Sequence, residues 1–195
     1  MPRIIKAPGM RRQELIDIAL KQFFKNGYEK TSIRSILKEA DGEIGMFYHY
    51  FKSKNEIYEA ALEKYNDKFI TKVIEIVNAS GLNFEEKLDR LFSVMSGSVS
   101  EYSLMYTAKA NPEIMTLLHH KTLRKMVPVF ELFILDGIKM NVLKTPIQNT
   151  YLLSEFVLYG VSAVIHDPEV NSMEKKIGYA KKLIVQILGM DRGGI

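Results

Sequence analysis

No cysteine occurs among the 195 residues of this chain, which excludes disulfides and thiolate metal sites and fits a reducing cytosol. Met1-Pro2-Arg3-Ile4-Ile5-Lys6 opens the chain without an apolar stretch long enough for a signal peptide. The most apolar segment, Tyr151 to Ile165, is shorter than a membrane span and carries Glu155 within it. A cytoplasmic protein with no membrane partner is therefore expected. Hairpin signals are lacking, because Asp41-Gly42 and Asp136-Gly137 both interrupt helical-period patterns. There is no internal repeat and no low-complexity tract. Neither a nucleophile–base pairing, a Gly-rich phosphate loop nor a metal-ligand spacing is present, so neither an enzyme nor a cofactor is expected. His119-His120 is not a metal motif: adjacent residues on a helix face different directions, and one of the two should be exposed.

What is present is an ordinary globular balance, 47% hydrophobic and 26% charged residues, with ample material for a core. The formal net charge is +4 and unevenly spread. Residues 1–54 hold 11 Lys and Arg against 6 Asp and Glu, while the remainder is close to neutral. A basic segment can neutralise nucleic-acid phosphates; it can equally be a solvated helical surface.

Almost every segment has helical period, so the fold class is all-α: an N-terminal three-helix unit containing a helix-turn-helix, joined to a C-terminal helical bundle. The first helix spans about Met10 to Asn26, with an apolar stripe of Leu15, Ile16, Ala19, Leu20, Phe23 and Phe24. Gly27 suits a left-handed cap. The second helix opens at Thr31 or Ser32 and carries Ile33, Ile36, Leu37 and Ala40 on one face. After Asp41-Gly42 a short third helix runs from about Glu43 to Tyr50. Ser53-Lys54-Asn55-Glu56 reads as a capping box that starts a fourth helix, continuing to about Val77. Beyond Gly81 the candidate helices are Phe84–Gly97, Glu101–Lys109, Glu113–Met140, Ile147–Ile165 and Met173–Leu188, with a kink or break expected at Val127 before Pro128. The expected organisation is an N-terminal arm (1–9), a helix-turn-helix domain (10–53), a connecting helix (54–80), a helical ligand-binding and dimerisation domain (81–190) and a tail (191–195).

Two short helices joined by a tight turn after a longer amphipathic one make a helix-turn-helix. On the third helix Glu43 could accept from a cytosine amino group and Met46 could lie against a thymine methyl. Tyr48 and His49 can donate to phosphate oxygens. Lys52 and Lys54 bracket the start of the fourth helix, where free amides and a cation together suit an anion; the alternative is a solvated lysine.

Phe23-Phe24-Lys25-Asn26-Gly27-Tyr28, Thr31-Ser32-Ile33-Arg34 and Gly45-Met46-Phe47-Tyr48-His49-Tyr50-Phe51-Lys52-Ser53-Lys54 resemble the N-terminal signature of tetracycline-repressor (TetR) family regulators. The resemblance covers about Met10 to Tyr65. It implies a homodimer on a double-stranded DNA operator, with Thr31 or Ser32 against phosphate and the Glu43–His49 helix in the major groove. Tyr48 and Lys54 match positions that hold phosphates in the family. The DNA-facing set is then Thr31, Ser32, Arg34, Glu43, Gly45, Met46, Tyr48, His49, Lys52 and Lys54. The chain departs from the family at Asp41-Gly42-Glu43-Ile44, where a Gly-Val-Ser-Lys-like stretch is common. Glycine replaces a core residue there, while Glu43 and Ile44 replace typical DNA contacts.

The Ile147–Ile165 segment is apolar around much of its circumference and must bury more than one face. Leu153, Val157, Gly160, Val161 and Val164, with Ile177, Ala180 and Ile184 of the last helix, are the expected dimer interface; the alternative is a monomer core. Met95, Tyr102, Met105, Tyr106, Phe130, Phe133, Phe156 and Tyr159 suit a pocket for a small apolar or amphipathic effector, or an ordinary core. The functional expectation is a ligand-responsive, DNA-binding transcriptional repressor acting as a homodimer. The competing one is a small-molecule-binding bundle whose N-terminal unit makes protein contacts.

Overall fold

A computed structural model describes residues 8–105, 112–167 and 169–190. Of the expected arm only Pro8 and Gly9 fall within it, as the start of the first helix; the tail 191–195 lies outside the described residues. The described residues form eight helices: α1 (Pro8–Lys30), α2 (Ile33–Glu39), α3 (Ile44–Tyr50), α4 (Lys54–Val77), α5 (Phe84–Met105), α6 (Pro112–Lys139), α7 (Thr150–His166) and α8 (Met173–Ile187). They divide into two compact units, one within Met1–Lys68 and Val99–Leu118, the other within Phe69–Ser98 and His119–Ile195.

In the first unit the stripe on α1 packs as its periodicity requires. Leu15, Ile16, Ala19, Leu20 and Phe23 are buried with Ile36, Leu37 and Ala40 of α2, Phe47 of α3, Phe51, and Ile57, Tyr58, Ala61 and Leu62 of α4. The compact unit includes α4 as far as Lys68, since that face of α4 completes the core. Phe23 meets Tyr58 edge-on at 4.9 Å. Gly27 has φ 75° and interrupts α1, the left-handed break that only glycine adopts without strain.

Polar locks hold α1 to α2. Gln22 is buried, and its amide donates to the Ser35 carbonyl (3.1 Å) and the Glu39 carboxylate (2.8 Å) while accepting from the Ser35 hydroxyl (2.7 Å). These bonds, the Gln22 bond first and then the one from Lys21, hold the Glu39 carboxyl below its ordinary pKa. Ser32 caps α2, exchanging reciprocal bonds with Ser35.

In the second unit Phe84 stacks on Phe133 at 4.2 Å, with Phe130 beside it. Buried Lys87 donates to the Val77 carbonyl at 2.7 Å, placing a cation on the negative end of α4. Asn83 and Glu86 cap α5 reciprocally. α5 continues from Phe84 to Met105 instead of dividing after Gly97, since Gly97 and the flanking serines weaken a helix without stopping it. α6 is likewise unbroken at Val127. Met126, Val127 and Phe130 are buried on either side, while Pro128 stays on the exposed face. α7 begins at Thr150, later than the apolar run suggests, because the Asn149 side chain accepts from the Leu152 amide at 2.9 Å.

His120 is exposed and His119 half-buried. His119 Nε2 lies 2.8 Å from Ser162 Oγ on α7, its ring 5.1 Å from that of His166. Burial, reinforced by His166 and His120, holds His119 below its ordinary pKa of 6.5. A histidine held neutral in the fold binds a proton more readily when unfolded. Its stabilising contribution is thus complete above 6.5 and is lost progressively as pH falls below that value. Urea unfolding across a pH series should show stability falling below pH 6.5, and His119→Gln should flatten that fall. An equally steep fall in the variant would remove His119 as its source.

Candidate nucleic-acid interface

The turn between α2 and α3 is built differently from its glycine signal. Asp41, with φ 48°, takes the left-handed position, and the Gly42 amide bonds back to the Leu37 carbonyl at 2.9 Å. Gly42 serves another purpose: a Cβ there would meet Met46 Cε at 2.0 Å and Leu37 Cδ2 at 3.2 Å. Met46 therefore lies back over the turn. Arg11 of α1 secures both, its Nε donating to Met46 Sδ at 3.1 Å and its Nη2 to the Asp41 carbonyl at 3.4 Å, while Nη1 pairs with Glu14.

α3 is only seven residues long, and its N-cap residue Glu43 makes no side-chain cap bond. Phe47, fully buried, anchors it. This leaves Glu43, Ile44, Gly45, Tyr48 and His49 exposed. Beside α3 lies an open groove of about 840 Å³, lined by Glu29, Thr31, Ser32, Ile33, Arg34, Leu37, Lys38, Gly42, Ile44, Tyr48 and Lys54. Three cations face one carboxylate in that lining, so the groove favours an anion.

Of the expected DNA-facing residues, Ser32, Arg34, Tyr48 and Lys54 are brought together in this groove. Glu43, Gly45, His49 and Lys52 are exposed but do not line it. Two of the expected residues are engaged inside the domain. Thr31 lines the wall but is wholly buried, and its hydroxyl is spent inside the domain on the carbonyls of Gln22 (3.2 Å) and Gly27 (2.9 Å). Met46 is held over Gly42 by Arg11 and packs, partly buried, against the core. Lys38 joins the groove unforeseen; its spacing of four from Arg34 on α2 was the available signal.

Lys54 is half-buried, its Nζ 4.0 Å from the Tyr28 ring centroid. Tyr28 itself donates its hydroxyl to the Asn55 side chain, which ties the end of α1 to the start of α4. Burial lowers the Lys54 pKa, opposed by the negative charge of Glu29. Burial also raises that of Tyr28, again with a contribution from Glu29. The capping box at α4 is offset by one residue. Ser53 Oγ accepts from the Glu56 amide at 3.2 Å, but the Glu56 carboxylate accepts from the amide of Lys52, not Ser53, at 2.6 Å.

The effector and interface sets divide. Phe130 and Phe133 belong to the stacked core with Phe84, Met95 and Tyr159 are half-buried, and Phe156 is 65% exposed. Tyr106 and the side chains of Tyr102 and Met105 lie outside the described residues. Leu153, Val157, Val161, Ala180 and Ile184 are buried within the chain itself, Val164 and Ile177 half-buried, and Gly160 exposed. The apolar face left open on α7 lies one residue round, at Tyr151, Leu152 and Phe156, with Tyr179 and Leu183 on α8.

Thr31→Val keeps the shape of the side chain but removes the donor that the Gln22 and Gly27 carbonyls share. It should cost about 1–3 kcal/mol in denaturant titration, and a change of a few tenths would mean the hydroxyl is not a lock.

Residues 15–61 match the family profile described as bacterial regulatory proteins, tetR family. The HTH-type transcriptional repressor KstR2 of Rhodococcus jostii is 38% identical over 81 residues, 42% of this chain and 39% of that protein. The HTH-type nicotine-responsive transcriptional repressor HdnoR of Paenarthrobacter nicotinovorans is 30% identical over 70 residues, 36% of each. The chain thus spans less than half the length of these curated relatives. A transcriptional regulator from Cytophaga hutchinsonii has a similar fold, with a TM-score of 0.70 at 19% identity over 91% of this chain and 94% of that one. Residues 15–61 are thus similar to the N-terminal domain of the tetR family of bacterial regulatory proteins.

Proposed function

We propose that this chain is a DNA-binding transcriptional repressor of the cytoplasm, acting as a homodimer on a pseudo-palindromic operator. The observation that carries the reading is the groove beside α3, which sets Arg34, Lys38 and Lys54 around a short helix whose outward side chains are exposed. Cations around a helix of major-groove size supply both parts of recognition: phosphate contacts that position, and base contacts that specify. Ser32, Arg34, Tyr48, His49, Lys52 and Lys54 hold the backbone in this reading, and Glu43, Ile44 and Gly45 face the bases. Thr31 supports the site from inside.

Fluorescence anisotropy of the full chain on duplexes flanking its own gene tests this. Binding should weaken steeply with salt, and Lys54→Ala should lower the slope of log K against log salt by about one, equally on all sequences. No salt-sensitive binding to any fragment would overturn the proposal, and an unchanged slope would take Lys54 out of the contacts.

The exposed apolar strip on α7, Leu152 and Phe156 one turn apart with Gly160 a further turn on, supports self-association together with Tyr179 and Leu183 of α8. Two copies joined by a two-fold axis present two recognition helices, as a palindromic site requires. Light scattering should give twice the chain mass of 22.4 kDa, and Phe156→Glu should give the monomer. A wild-type monomer at micromolar concentration would remove the dimer.

A small apolar or amphipathic effector bound by the second unit completes the reading, one relative being described as nicotine-responsive. Such a ligand releases DNA only if it favours dimers whose DNA-binding heads mismatch the operator spacing.

A further inference from the structure

We infer that Ile44 is a specificity-determining residue that reads the C5-methyl group of a thymine in the major groove; this rests on the DNA-binding reading above. Ile44 lies on the exposed face of α3, 52% exposed, one turn before Tyr48, and both line the groove. It takes no part in the core of its own unit, which Phe47 and Phe51 already anchor from this segment. A single exposed apolar residue is ordinary on a protein surface. What sets this one apart is its company: a branched hydrocarbon shares the groove with Ser32, Arg34, Lys38 and Lys54. It can neither hold a phosphate nor exchange a hydrogen bond with a base edge. The apolar group that a major groove offers is the thymine methyl, and contact with it removes both hydrocarbon surfaces from water.

Two further observations on α3 agree. Met46, the other apolar side chain suited to that methyl, is held over Gly42 by the Arg11 guanidinium. Gly45, next to Ile44, would place a Cβ in open space with nothing within 4 Å. The fold therefore does not require glycine there, and glycine within a helix is unfavourable relative to alanine. A bare backbone beside Ile44 allows an outside surface to come close enough for a short branched side chain to touch it.

The test uses duplexes selected from a random-sequence pool by the full chain. Each thymine of the selected half-site is replaced in turn by deoxyuridine, which removes only the methyl group, and affinity is read by anisotropy. At one position the wild type should lose about three- to tenfold, on the order of the burial of one methyl group. Ile44→Ala should lose a similar factor on the thymine duplex and nothing further on the uracil one, with its melting temperature unchanged because the residue is exposed. Equal binding of the selected duplex by variant and wild type would overturn the inference. So would a variant that keeps the full methyl dependence, or a selection that returns no preferred sequence although DNA is bound. Absence of DNA binding altogether would instead overturn the proposed function.

Discussion

Burial of Phe47 and Phe51 is the constraint on which the first unit depends. An isolated helix of seven residues does not persist in water, since forming its first turn costs more than its few hydrogen bonds return. α3 has no side-chain cap at its start to help. It is helical because Phe47 has no exposed surface and Phe51 almost none, both held in the core built by α1, α2 and α4. The Arg12 guanidinium covers the Phe51 ring at 5.0 Å. Once those two rings are fixed, the outward face of α3 has no choice of composition: Ile44, Gly45, Tyr48 and His49 are what remains.

Around that anchor, buried polar groups set the angle between helices more narrowly than apolar contact could. Apolar surfaces slide over one another at small cost, but a buried amide or hydroxyl loses about 1–3 kcal/mol if its partner moves out of reach. Gln22 and Thr31 impose this restriction at the α1–α2 junction, and Arg11 imposes it at the turn into α3. Tyr28 extends the same control to the start of α4 through Asn55 and the Lys54 ammonium. The groove thus inherits its geometry from residues that mostly do not face it.

The second unit shows how an apolar excess divides. α7 carries more apolar surface than one face can bury. Leu153, Val157, Val161 and Ile165 enter the core, while Leu152 and Phe156 stay outside. α8 divides in the same way between Ala180 and Ile184 inside and Tyr179 and Leu183 outside. Sequence period alone marks both sets as apolar, and both could serve as core or interface.

Local chemistry was legible throughout. Helical period, the glycine break at Gly27, the serine cap of α2 and the stripe on α1 all follow from interactions within a few residues, so the all-α class and the helix-turn-helix could be read directly. So could the basic first quarter, while the grouping of Ser32, Arg34, Tyr48 and Lys54 was implied by the family resemblance. Where the direction of a side chain diverged from the reading, a distant partner was responsible. Met46 turns inward because Arg11, 35 residues away, donates to its sulfur and Gly42 leaves room for its methyl. Thr31 is buried because carbonyls of α1 claim its hydroxyl. The open face of α7 lies one residue from the predicted one because α8 packs against the other side. Sequence by itself determined the all-α class, the capped starts of α2 and α4 and that one short pair is a helix-turn-helix, because these follow from local period and capping. Tertiary structure alone decided which side chains face out, since that depends on the contacts each helix makes with the rest of its unit.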